Sequence, residues 1–96
     1  MLSVRPGYGP PGGQFTFSAH GLSGSERVQV KFTDPTGAVV YPAGSNNGQY
    51  TASDTGQLDI TLVPNAAFPA APLGTWLFEV RGLTSRLEGV VGFTLR

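Results

Sequence analysis

Cysteine is absent from this chain of 96 residues, and its absence removes several kinds of chemistry at once. Without a thiol the chain has no disulfide, no thiolate metal site and no cysteine nucleophile. Histidine occurs once, at His20, so zinc would have almost none of its usual ligands. The lack of cysteine leaves the cellular compartment open.

Charge is also scarce, and neither sign predominates. Six basic and six acidic residues give a formal net charge of zero, and only 12% of the residues are charged. The single lysine is Lys31, and the arginines are scattered along the chain. Because nucleic-acid binding draws most of its affinity from clustered cations, the composition argues against a DNA or RNA partner.

Long apolar runs are missing as well. No stretch approaches the roughly 20 apolar residues that a membrane-crossing helix needs. The first residues also lack a basic segment followed by an apolar segment, so they do not have the pattern of an export signal. We therefore expect no membrane insertion, and we expect any export to be directed by a longer polypeptide that contains this chain as a domain.

The sequence does contain a repeated alternation of apolar and polar residues. Four segments carry β-branched or aromatic side chains at every second position. Their apolar members are Phe15 and Phe17; Val28, Val30 and Phe32; Leu58, Ile60 and Leu62; and Trp76, Phe78 and Val80. A period of two is the pattern of strands with one buried face. We therefore expect all of these side chains to share one interior.

Weaker strands and turns occupy the remaining chain. Short strands are predicted at 2–4, 39–41, 49–52 and 86–95, the last two as candidate sheet edges. Turns are predicted at Asp34-Pro35-Thr36-Gly37 and Asp54-Thr55-Gly56. Residues 6–13, rich in glycine and proline, indicate an irregular lead-in segment. Residues 64–72 have room for at most one helical turn, because Pro69 and Pro72 interrupt a helix.

These elements predict a single all-β domain over residues 1–96. The short strands with turns between them favour an antiparallel β-sandwich of seven to eight strands with no substantial helix.

The chain resembles the immunoglobulin-like and fibronectin type III-like domains of bacterial surface and secreted proteins, with some character of macroglobulin-type modules. The resemblance spans about residues 11–96 and is carried by Phe15-Thr16-Phe17-Ser18, Glu26-Arg27-Val28-Gln29-Val30, Asp34-Pro35-Thr36-Gly37 and Pro72-Leu73-Gly74-Thr75-Trp76. The chain differs from antibody domains because it lacks both bridging cysteines and its tryptophan comes late.

The resemblance implies an immunoglobulin-like sandwich that acts as a spacer, adhesion or accessory module, either extracellular or at the cell surface. Its partners would be neighbouring domains of the same polypeptide or another surface protein.

The sequence gives little support to catalysis. A Ser-His-Asp set would have to use His20, with Ser18 two residues away, but no Gly-x-Ser-x-Gly elbow is present. His20 is better explained as a side chain at the end of a strand. We therefore predict that the protein is not an enzyme, and we assign no catalytic, cofactor-binding or metal-binding residue.

The acidic residues are few and dispersed. Calcium takes six to eight oxygen ligands, usually with several carboxylates, whereas Asp34, Asp54 and Asp59 lie on or near separate predicted turns. Asp34 and Asp54 are better explained as acceptors for turn amides, although a weak calcium site stays open. Glu26 and Glu79 are expected on outward faces.

The tyrosines leave a second function open. Trp76 is in phase with Phe78 and Val80, which predicts a buried position. Tyr8, Tyr41 and Tyr50 are less clearly buried and could stack on a sugar. A carbohydrate-binding module with a glycan partner is therefore the alternative function, and assembly through edge strands is a third.

Overall fold

The strong alternation becomes strand structure at each of its four segments. The computed structural model describes residues 2–68 and 70–96. Its elements are β1 (Leu2–Arg5), β2 (Tyr8–Gly9), β3 (Phe15–Ala19), β4 (Arg27–Thr33), β5 (Val39–Val40), β6 (Gln49–Thr51), β7 (Leu58–Leu62), α1 (Pro64–Ala67), β8 (Gly74–Gly82) and β9 (Glu88–Leu95). The helix is one turn long, as predicted for this segment, while the expected interruption at Pro69 lies outside the described residues.

The strands form two sheets. A three-stranded sheet has the order β1-β3-β7, and a six-stranded sheet has the order β2-β9-β8-β4-β5, with β6 also paired to β4. The prediction of an all-β chain without substantial helix is confirmed. The described residues contain nine strands rather than seven or eight. The pairing is not wholly antiparallel either, because β2 runs parallel to β9.

The segment 6–13 is more ordered than an irregular lead-in. After a cis peptide bond at Arg5–Pro6, the chain leaves the three-stranded sheet and pairs as β2 with the end of β9. The amide of Thr94 donates to the carbonyl of Gly7 at 3.0 Å. A Cβ on Gly9 would lie 3.3 Å from the Phe15 ring, so glycine permits this close packing. Strand β2 therefore forms because it pairs with β9, and not because its residues favour a strand.

The interior between the sheets holds the residues predicted for it. The predicted apolar residues of β3, β4, β7 and β8 are all buried except Leu62, which is half-buried against the same core. Phe17 lies at the centre of an aromatic cluster, with ring centroids 4.8 Å from Phe78 and 5.0 Å from Phe93. Trp76 is fully buried and its indole Nε1 donates to the Pro72 carbonyl at 2.9 Å. One shared core therefore joins the two layers.

The predicted sheet edges are found only in part. Strand β6 pairs with β4 alone, so it lies at an edge. Strand β9 lies between β8 and β2, and β2 covers only its last residues, Thr94 and Leu95. Along residues 88–93, the edge of β9 opposite β8 therefore has no pairing partner among the described strands.

Candidate interaction surface

Of the hypothetical catalytic set, His20 lies at the end of β3, Ser18 on its outer face and Asp59 on the neighbouring strand β7. His20 follows the last residue of β3 and is exposed. The hydroxyl of Ser18 donates to Oδ1 of Asp59 at 2.6 Å, and Nε2 of Gln57 donates to the other carboxylate oxygen at 2.7 Å. Ser18 and Asp59 therefore form a lateral pair across two strands, on the side of the sheet that faces away from the core.

The aspartates lie in separate turns and strands. Oδ1 of Asp34 accepts hydrogen bonds from the amides of Thr36 and Ala38, which confirms the predicted role in the turn. The hydroxyl of Thr36 and these amides lower the pKa of Asp34. Asp54 instead accepts a hydrogen bond from the hydroxyl of Ser25 at 2.8 Å. Within residues 2–68 and 70–96, no group of three metal-ligating side chains comes together.

Glu26 contradicts the prediction of an outward position. Its residue is only 5% exposed, although it carries a carboxylate. Oε1 accepts hydrogen bonds from the amides of Thr84 at 2.9 Å and Ser85 at 3.0 Å, and Oε2 accepts one from the amide of Ser23. The sequence contained the signal for this, because Glu26 has the same parity as Val28, Val30 and Phe32.

These hydrogen bonds also determine how Glu26 titrates. Burial by itself would raise the pKa of the carboxyl, but the amides of Ser85, Thr84 and Ser23 and the hydroxyl of Ser85 outweigh it and lower the pKa to about 2. The ionised carboxylate thereby connects the loop before β4 with the segment between β8 and β9. Both of its oxygens already accept hydrogen bonds from these backbone amides.

The three tyrosines do not form one platform. Tyr8 is 58% exposed on β2, with the Arg96 guanidinium carbon 4.0 Å from its ring centroid. Tyr41 follows β5 at the opposite edge, four strand spacings or about 19 Å away. Tyr50 lies opposite the buried Val28, so it faces the interior, and its burial raises the pKa of its hydroxyl.

A shallow groove of about 490 Å³ crosses the outer face of the six-stranded sheet. Its polar lining comes from β4, β8 and the start of β9. Two ion pairs cross it: Lys31 Nζ lies 3.1 Å from Glu79 Oε2, and Arg81 Nε lies 3.4 Å from Glu88 Oε1. Val90 lines the groove beside Glu79, its partner in the register. The groove is thus neutral as a whole and combines charge with apolar surface.

Exposed apolar side chains are concentrated on this same face. The chain register places Val39 opposite Thr33, and Thr33 opposite Leu77. Alternation within the strands then assigns four of the seven large exposed hydrophobic residues that the structure describes to the outer side of this sheet, namely Tyr8, Val39, Leu77 and Val90. The other three, Tyr41, Leu73 and Leu83, lie immediately beyond the ends of β5 and β8. We call the outer side of the six-stranded sheet the mixed face.

The outer side of the three-stranded sheet has a different composition. The register aligns Ser3 with Ser18 and Asp59, and Arg5 with Thr16 and Thr61. None of these residues is a large hydrophobe. We call this side the polar face, and it presents small hydroxyl side chains together with one residue of each charge.

No protein-family model, curated protein or solved structure matches the chain. Among the described residues, no helix is long and apolar enough to span a membrane. The two outer faces, which differ in their chemistry, are the features of the chain that bear on its function.

Proposed function

We propose that the chain is a non-catalytic, immunoglobulin-like interaction module of a larger surface or secreted protein. In this proposal the mixed face contacts another folded protein domain, either a neighbour in the same polypeptide or another surface protein. The concentration of exposed apolar side chains on one outer face is the observation that carries the proposal.

The strand order supports the immunoglobulin-like assignment. In such sandwiches the first, second and fifth standard strands belong to one sheet, and the third, sixth and seventh belong to the other. Here β1, β3 and β7 form one sheet, while β4, β8 and β9 are neighbours in the other. The additional strand β5 beside β4 corresponds to the extra strand of variable-type domains.

The chemistry of the mixed face favours a protein partner. Contact surfaces combine a buried, more apolar centre with a polar rim, and charges exposed at the rim contribute little binding energy. Leu77 and Val90 offer such apolar contacts, and Lys31 and Glu79 present both signs of charge within one groove. A partner with the opposite arrangement of charges would find complementary groups, which fix orientation.

A titration tests the proposal directly. The isotopically labelled chain would be titrated with the domains that flank it in its polypeptide, and amide shifts would be followed. We expect shifts on β4, β8 and β9. Val90→Lys should weaken binding at least tenfold, because it places a charge in the apolar part of the contact.

Thr61→Lys provides the matched control, since it adds the same charge at an exposed position of the polar face. We expect this variant to bind like the wild type. Shifts confined to the polar face, or equal losses of binding in the two variants, would refute the proposal.

A separate assay addresses catalysis. We expect hydrolase, esterase and protease screens of the purified chain to detect no turnover. Turnover that disappears in His20→Ala would overturn the non-catalytic assignment, because His20 is the only imidazole in the chain.

A glycan is a second candidate partner, favoured by a smaller polar hollow of about 250 Å³. Its lining includes Arg27, Asn46 and Gln49, whose amide and guanidinium groups suit sugar hydroxyls. Glycan-array binding that Gln49→Ala abolishes and Val90→Lys leaves unchanged would favour this candidate. The absence of binding to any glycan would eliminate it.

A further inference from the structure

A two-residue turn leads into the edge strand β6. The amide of Gln49 donates to the carbonyl of Asn46 at 3.0 Å, and the two residues between them, Asn47 and Gly48, have φ angles of 53° and 76°. Positive φ at both central positions defines a type I′ turn, for which Asn-Gly is the preferred pair. The backbone geometry therefore explains the sequence of this turn.

Glycine is required at position 48 for a second reason. A Cβ there would lie 2.1 Å from the Val30 carbonyl oxygen, and the amide of Val30 donates to the Gly48 carbonyl at 2.8 Å. The close approach to β4 leaves no room for a side chain. The fold therefore requires a glycine directly after Asn47, and glycine has no side chain that could block access to its backbone nitrogen.

That pairing creates a chemically reactive site. The backbone nitrogen of Gly48 can attack Cγ of Asn47, where it forms an N–Cγ bond and gives up its proton to a base. The Cγ–Nδ2 bond breaks and ammonia leaves, which yields a five-membered succinimide. Water then opens either carbonyl of this ring and produces aspartate or isoaspartate. No oxidant or reductant is needed, and Asn47 is exposed to the water that completes the reaction.

The folded turn restrains the attacking nitrogen of Gly48 and the backbone carbonyl of Asn47 beside it. The amide of Gly48 donates to Oγ of Ser45 at 3.1 Å, and Nε2 of Gln29 donates to the carbonyl of Asn47 at 2.7 Å. We propose that Asn47 is a site of spontaneous deamidation, and that Ser45 and Gln29 restrain the reaction by holding the turn closed. The Asn47 side chain then reacts when this turn opens.

The product would alter the edge of the mixed face. Isoaspartate routes the backbone through Cβ and so lengthens the turn by one atom, which is incompatible with the pairing of Asn46 and Gln49. The bond from Val30 to Gly48 depends on the same geometry. We expect the modified chain to lose protection of the Val30 amide while the core strand β8 stays protected.

Incubation of the whole chain at mildly alkaline pH tests the site. Proteolytic peptides would be followed by mass, and isoaspartate would be identified by enzymatic methylation. We expect modification at Asn47 before Asn46 and Asn65, which serve as references in the same digest. Ser45→Ala should raise the rate about fivefold, which corresponds to the loss of one hydrogen bond. Gln29→Ala should act in the same direction, and full unfolding in urea should give the highest rate.

Ser53→Ala is the matched control, because Oγ of Ser53 accepts a hydrogen bond from the amide of Gln57 in a different turn. This variant should deamidate at the wild-type rate. Near-ultraviolet circular dichroism of buried Trp76 would show whether each variant is folded. Equal rates at Asn47, Asn46 and Asn65 would overturn the proposal. So would folded Ser45→Ala and Gln29→Ala variants that react no faster than the wild type.

Discussion

The polar face and the mixed face use their outward side chains in different ways. On the polar face the side chains bond to one another across the strands: Ser18 donates to Asp59, and the hydroxyl oxygens of Thr16 and Thr61 lie 3.3 Å apart. On the mixed face, ion pairs alternate with exposed hydrophobic residues such as Val90, which is 58% exposed.

Under the proposed function, this difference assigns stability and recognition to different side chains. The inward sides of both sheets carry the same kind of residue, because both must fill one core. The outward sides are free of that requirement. On the polar face, the hydrogen-bonding groups of the side chains are already paired with one another across the strands. Exposed apolar groups on the mixed face instead become more stable only when another surface covers them and removes them from water.

The largest expected effect compares the two sides of a single strand. Trp76→Ala should destabilise the chain by about 3–5 kcal/mol, because it empties the fully buried indole site. Leu77→Ala, one residue along on the mixed face, should change stability by about 0.5 kcal/mol or less. Urea unfolding followed by circular dichroism measures both. Similar losses in the two variants would contradict the assignment of inner and outer sides.

The next effect compares a buried charge with the exposed charges of the mixed face. The pKa of Glu26 is lowered to about 2 in the folded chain from an ordinary value of 4.5. Its contribution to stability is therefore fully present above about pH 4.5 and is lost as the pH falls toward 2. We expect Glu26→Gln to be less stable at neutral pH and to lose part of this acid dependence. Thermal unfolding measured across the acid range tests this, with Glu88→Gln as the exposed control. An unchanged acid profile in Glu26→Gln would argue against the role of these hydrogen bonds.

A smaller effect tests the polar face itself. A double-mutant cycle with Ser18→Ala and Asp59→Asn should give a coupling energy of about 0.2–1 kcal/mol, as for other cross-strand pairs. Val90→Ser on the mixed face should leave stability nearly unchanged. If Val90→Ser were the more costly change, the apolar groups of the mixed face would be stabilising the monomer, and the comparison would fail.

The smallest effect distinguishes the two ion pairs of the mixed face. The Lys31 and Glu79 side chains are 40% and 37% exposed, whereas those of Arg81 and Glu88 are 64% and 68% exposed. We expect a coupling of about 0.2–1 kcal/mol for the first pair and almost none for the second, because solvent screens exposed pairs. Double-mutant cycles at low and high salt measure both. A stronger coupling between Arg81 and Glu88 would contradict this order.

Much of the fold was predictable from local pattern, and one error was avoidable. The period of two located β3, β4, β7 and β8 and assigned their buried sides, because burial of alternate residues is a local property of a strand. The same rule applied to Glu26 predicts an inward side chain. Charge suggested an outward position instead, but backbone amides from a distant turn satisfy the carboxylate.

Other features were not predictable from local pattern. The strand at Tyr8 and Gly9 exists because β9 offers it partners, and nothing in a glycine- and proline-rich segment indicates such pairing. The relation between Tyr8, Tyr41 and Tyr50 required the sheet order, which separates the first two by the full width of a sheet. The mixed face likewise becomes visible only when Val39, Leu77 and Val90 are brought to one side.

The sequence by itself determined the all-β class and the buried sides of β3, β4, β7 and β8, because alternation acts between near neighbours in the chain. The tertiary structure alone decided which strands are neighbours, which amides hold Glu26 and which exposed apolar residues form one surface. These features depend on contacts between residues far apart in sequence, and no local pattern specifies such contacts.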